Sequence, residues 1–90
     1  MRFMPRFYFH IHDGRDQFDM DGTELPDEAT AHVEAIRLAG SVLRDEARRV
    51  VACDCWTMDV TDETGRPVYQ VDVNVSDRRA STPMPEPKRR

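Results

Sequence analysis

Residues 56–75 read WTMDVTDETGRPVYQVDVNV. Apolar and polar residues alternate through Trp56–Thr61 and again through Val68–Val75, the period of a strand with one buried face. Asp62-Glu63-Thr64-Gly65 lies between the two runs, with Gly65 free to take the positive φ of a hairpin turn. The stretch predicts an antiparallel hairpin with Trp56, Met58 and Val60 facing inward beside Tyr69, Val71, Val73 and Val75. Thr57, Asp59, Gln70, Asp72 and Asn74 then face outward. Pro67 is tolerated at the strand start, where no ladder N–H is needed.

Upstream, Arg6 to Asp13 (RFYFHIHD) alternates in the same way, with Phe7, Phe9 and Ile11 on one face and Tyr8, His10 and His12 on the other. A short second strand is expected around Phe18 and Met20, ended by Gly22. Pro26, Asp27 and Glu28 form a helix start, because proline fits the first turn and carboxylates favour the positive end of the helix dipole. Ala29, Val33, Ile36, Gly40, Leu43, Ala47 and Val50 then recur every three or four residues. They predict one helix of about six turns whose stripe, widened by Ala39 and Val42, faces the sheet. Gly40 is expected at a close approach of helix to sheet. Arg37, Ser41 and Arg44 form a solvated row, with His32 nearby. The fold expected is α+β, a small antiparallel sheet of three to four strands with one long helix on one face, in the order β-β-α-β-β.

Ninety residues suit one domain, expected at 6–77, with an N-terminal extension at 1–5 and a disordered basic tail at 78–90. The net charge is −4. It divides unevenly, since residues 1–76 carry eight Arg against fifteen Asp or Glu, whereas 77–90 carry five basic residues against two acidic. So acidic a surface repels phosphate, which disfavours nucleic acid and anionic membranes as partners of the folded domain. No apolar stretch reaches membrane-spanning length and no secretory signal is visible, so a cytoplasmic location is expected. Cys53 and Cys55, the only cysteines, are expected as reduced thiols.

Three sets of residues carry chemistry worth locating. His10 and His12 project from one strand face, and Cys53 and Cys55 share the parity of Thr57 and Asp59, so pairing of the first and third strands would offer four zinc ligands. Cys-x-Cys is not the usual zinc spacing, and His-x-His is ordinary on a wet strand face. Gln17 to Glu28 fits a calcium loop in part, but Gln17 stands where the first aspartate is needed. Its acidic residues, Asp19, Asp21 and Glu24 among them, together with Tyr8 on the polar face, form instead a surface for a protein partner. No spacing ties a nucleophile to a base, and the four glycines are too scattered to cradle a phosphate, so neither catalysis nor a cofactor is expected.

Met4-Pro5-Arg6-Phe7-Tyr8-Phe9-His10, Gly22-Thr23-Glu24-Leu25-Pro26-Asp27 and Val60-Thr61-Asp62-Glu63-Thr64-Gly65-Arg66 together resemble a family of short bacterial proteins of unknown function. Those proteins have an MPRYFFH-like start, a GTELPD-like segment and an EVTDEAGR-like hairpin. The resemblance spans most of Met4 to Val75 and implies a small α+β fold, with no activity, cofactor or catalytic residue attached. Met1-Arg2-Phe3 precedes the family's usual start, and Cys53-Asp54-Cys55 has no counterpart in its pattern. A strand pair, an acidic turn and a helix beginning Asp27-Glu28-Ala29 also resemble antitoxins of the HicB type, which implies a regulator with a basic toxin as partner. The function expected is a non-enzymatic interaction or regulatory module that contacts a protein partner or itself. The antitoxin-like regulator and a metal-binding protein built on His10, His12, Cys53 and Cys55 are the alternatives.

Overall fold

Alternation of large apolar residues in three segments builds the sheet, and the computed structural model, which describes residues 4–53 and 55–79, shows how the rest assembles round it. The strands are β1 (Arg6–His12), β2 (Asp16–Gln17), β3 (Thr23–Glu24), β4 (Cys55–Thr61) and β5 (Pro67–Asn74). The helices between β3 and β4 are α1 (Glu28–Asp45) and α2 (Ala47–Cys53). The sheet is antiparallel, in the order β2-β1-β4-β5, with β3 also paired to β1. The class is α+β as expected, but the sheet has five strands, two of them only two residues long. The expectations for the extension and the tail lie largely outside the described residues.

The hairpin takes the expected form. Trp56 pairs with Val73, Met58 with Val71 and Val60 with Tyr69, and the three β4 residues are fully buried. Asp62 organises the turn, because its carboxylate accepts the Thr64 and Arg66 amides at 2.9 and 3.0 Å and the Thr64 hydroxyl at 2.6 Å. That hydroxyl, acting with both amides and the Arg66 guanidinium against some desolvation, pulls the Asp62 pKa down to about 2. Gly65 takes φ 87°, as the turn requires. Arg66 Nη2 reaches Glu28 at 3.0 Å and so ties the hairpin to the start of α1. There Asp27 caps the helix by accepting the Thr30 amide at 2.8 Å.

The helix departs from expectation in continuity and, at Val33, Ile36 and Gly40, in phase, whereas Ala39, Val42, Leu43 and Val50 turn to the core as expected. Ala31, Ala35 and Ala39 face the sheet, packed into the cluster that holds Phe7, Phe9, Trp56, Met58 and Val60. Val33 and Ile36 are instead 52% and 53% exposed. Both stripes repeat every three or four residues, and the sheet decides between them. Two Phe, a Trp and a Met already fill the interior, so methyl-sized residues fit against them at Ala31, Ala35 and Ala39, while Val42 and Leu43 pack at the margin. Gly40 lies on the exposed side, where a Cβ would meet nothing within 4 Å, so it marks no close approach. The helix also breaks at Glu46, whose non-helical backbone (φ −124°, ψ 40°) lets α2 pack against β4 with Val50 buried. His32, placed by its sequence among the solvated residues, stacks on Tyr69 with ring centroids 4.2 Å apart. No described helix is long and apolar enough to cross a membrane.

Candidate functional site

Strand alternation puts Tyr8, His10 and His12 on the sheet face away from α1, and the β1–β4 register sets His10 beside Asp59 and His12 beside Thr57. The segment from Asp13 to Leu25 runs along the outer edge of β1 and closes over this face. Its two short strands pair at either end of β1, Asp16–Gln17 with Ile11 and His12, and Thr23–Glu24 with Arg6 and Phe7. The expected strand through Phe18 and Met20 does not form, because between the two pairings the side chain of Asp19 takes the place of a backbone partner. Its Oδ2 accepts the Phe9 amide at 3.2 Å, its Oδ1 accepts the Asp21 and Gly22 amides at 3.1 and 3.0 Å, and its own amide donates to His10 Nδ1 at 3.1 Å. Burial works against the Asp19 charge, but the Gly22, Phe9 and Asp21 amides outweigh it and hold the carboxyl below the ordinary aspartate value.

Each imidazole is held on both sides. Because His10 Nδ1 accepts the Asp19 amide, its Nε2 carries the proton and donates to Thr61 Oγ1 at 3.1 Å. His12 lies between two carboxylates, with Nδ1 2.8 Å from Asp16 Oδ1 and Nε2 3.1 Å from Asp59 Oδ2. The Asp16 bond, opposed by desolvation and helped by the charge of both carboxylates, raises the His12 pKa above 6.5. His12 therefore fastens β2 to β4 across β1. Phe18 leans edge-on against both imidazoles, at centroid distances of 5.6 and 6.1 Å, and is still 62% exposed. Tyr8 stacks parallel to His10 at 6.3 Å. Gly22 must be glycine here, since it has φ 71° and a Cβ would come within 2.8 Å of both Arg6 Cγ and Tyr8 Cε2.

The four proposed zinc ligands are not brought together. Cys53 ends α2 with its thiol bonded to the Cys55 carbonyl, Cys55 opens β4 opposite Asn74, and both nitrogens of each histidine are engaged elsewhere. Among the described residues no group of three His, Cys, Asp or Glu side chains is placed to hold a metal, and no pocket is enclosed. The calcium reading loses Asp19 to backbone amides. Glu24 pairs with Arg6 at 3.2 Å, while Asp21 accepts from the Arg6 guanidinium through its main-chain carbonyl at 2.9 Å. Of the acidic partner-binding candidates, Asp21 keeps its side chain turned to solvent, and the exposed apolar tips beside it, Phe18 and Met20, were not singled out from sequence.

The whole arrangement, from β1 through the Asp19 loop and the helices to β5, falls within residues 6–74, which match the family described as "Domain of unknown function (DUF6894)". The chain belongs to this family. No curated protein and no solved structure matches it. In this DUF6894 domain the histidines and aspartates that look reactive in the sequence therefore join β1, β2, β4 and the loop. The side chains left with the most apolar surface unmet are on α1, at the tip of the loop and at Val51 of α2.

Proposed function

We propose that the domain is a non-enzymatic interaction module that binds a protein partner through the outer stripe of α1. One observation carries this reading: α1 buries its alanines and leaves Val33 and Ile36 more than half exposed. A helix serving only its own core would place its larger aliphatics inward, since each fully buried one contributes about 1.5–3 kcal/mol. Val33, Ile36 and Gly40 lie roughly 100° to 160° round the axis from Ala35, on one continuous stripe beside Arg37 and Arg44. Apolar surface in a basic setting suits a partner that brings apolar side chains with carboxylates. The engagement of His10, His12 and Asp19 in bonds that hold the loop supports the non-enzymatic part, because each would have to give up such a bond to take a substrate proton or a ligand.

The test is affinity capture from the native cell with the full chain and with the folded Ile36→Asp variant. The reading expects a protein, a second copy of the chain included, enriched by the first and not by the second. Equal capture by both, or by neither, would refute it.

A further inference from the structure

We infer that the partner is a second copy of the chain, whose Phe18–Asp21 tip seats on the outer stripe of α1, so that copies associate head to tail. The inference rests on the interaction-module reading and names its partner. Among the described residues Val51 of α2 is a lone exposed aliphatic, whereas two larger apolar surfaces are complementary to each other. The receiving surface is the α1 stripe, with Val33 and Ile36 exposed and an open notch at Gly40, where nothing lies within 4 Å of a Cβ position. Its charged neighbours are Arg37, which has no carboxylate partner among the described residues, and Arg44, paired only with the adjacent Asp45. The presenting surface is the loop tip, where Phe18 and Met20 are 62% and 84% exposed. These apolar tips sit beside Asp21, whose carboxylate faces solvent, in the acidic stretch Asp13 to Glu28, where the other six carboxylates are engaged within the molecule. One surface is apolar with arginines and the other apolar with a free carboxylate.

The two surfaces cannot meet within one molecule. Phe18 rests on His10 and His12 on one face of the sheet, whereas α1 packs on the other through Ala31, Ala35 and Ala39. Contact between a tip and a stripe therefore joins two molecules and leaves one tip and one stripe free. That is a heterologous contact, which grows into open chains or rings and does not stop at a two-fold dimer. A helix edge meeting one loop tip is a small interface, so the association belongs to the weak, concentration-dependent class. The charged rims make it weaker in salt.

Sedimentation equilibrium of the full chain over a wide concentration range tests the inference. The weight-average mass should rise past that of a dimer and fall back when salt is added. Ile36→Asp removes the stripe, and Phe18→Ser with Met20→Ser removes the tip, so each variant alone should sediment as a monomer. Mixed in equal amounts, they should form a one-to-one heterodimer and nothing larger, because only one intact tip and one intact stripe remain per pair. Circular dichroism checks folding, and Val33→Asp replaces Ile36→Asp if the latter does not fold. A wild-type chain that stays monomeric, one that stops at a dimer, or a mixture without heterodimer overturns the head-to-tail contact. If the wild type is monomeric and still captures a foreign protein through Ile36, only the identity of the partner is wrong. If Ile36-dependent capture is also missing, the interaction reading falls with it.

Discussion

Replacing Asp19 by alanine removes one side chain but leaves three backbone amides without an acceptor. The Phe9 and Gly22 amides are part-buried, and each loses a bond to a charged oxygen, at 3.2 and 3.0 Å. Such bonds contribute about 1.5–3 kcal/mol each when well formed, and nearer 1–2 where water partly reaches the site. The Asp21 amide is exposed and is rehydrated at little cost. The expected loss is about 2–4 kcal/mol, a large share of the roughly 4–10 kcal/mol typical of a domain of this size. With a urea slope of about 1 kcal/mol/M for so small a domain, the unfolding midpoint should fall by about 2–4 M. Asp19→Asn keeps one acceptor oxygen and should fall between alanine and wild type. The effect has a pH signature, since the folded-state pKa of Asp19 is depressed below 3.8. Its contribution is fully present above the unfolded value and fades as pH falls through the folded one, so wild type and alanine variant should converge in acid. An Asp19→Ala midpoint equal to wild type at neutral pH, or a gap unchanged in acid, would refute the assignment of Asp19 as the loop's backbone substitute.

Ala35→Asp should abolish folding, because it puts a charge into a fully buried position, whereas Ile36→Asp one residue later should cost no more than about 1 kcal/mol; circular dichroism and urea melts compare them. Gly22→Ala should cost about 1–3 kcal/mol in a thermal melt, from the φ of 71° and the 2.8 Å approaches to Arg6 and Tyr8 together. His12→Gln should destabilise more at about pH 5.5 than at about pH 8.5. The pKa of His12 is raised by Asp16 and Asp59, so its contribution is complete below 6.5 and is lost as pH rises through the folded value; a gap between the two urea midpoints that does not change with pH would exclude the two-carboxylate clasp.

What could be read from the sequence was whatever a period of two records. Trp56 to Val75 and Arg6 to His12 declare their faces residue by residue, and the register of β1, β4 and β5 keeps those faces together. The loop between β1 and α1 was not legible in that way. Phe18 and Met20 alternate with Asp19 and Asp21 as a strand would, yet Asp19 bonds to the very amides that a strand there would have paired. An aspartate followed at two and three residues by Asp21 and Gly22 is a side chain able to close its own turn, and that local chemistry competes with the strand. The zinc reading failed to assemble for a related reason. A period puts His10 and His12 on one face but is silent about Asp16, Thr61 and Asp59, which take three of their four ring nitrogens.

The helix poses the sharper question, because its sequence holds two stripes and periodicity alone cannot rank them. Over its first turns hydrophobicity favours Val33 and Ile36, whereas volume favours Ala31 and Ala35. The deciding information lies outside the helix, in Phe7, Phe9, Trp56 and Met58, whose bulk on the facing sheet leaves room for methyl groups and little more. Reading a helix against the volumes of the strands it must cover, before asking which stripe is more apolar, would have chosen the alanines. The aliphatic stripe is then surplus to the core, and a chain that keeps Val33 and Ile36 exposed over most of their length carries an aggregation risk that a contact surface would account for. A surface that met it would have to be apolar and acidic, and among the described residues those two properties coincide at Phe18, Met20 and Asp21.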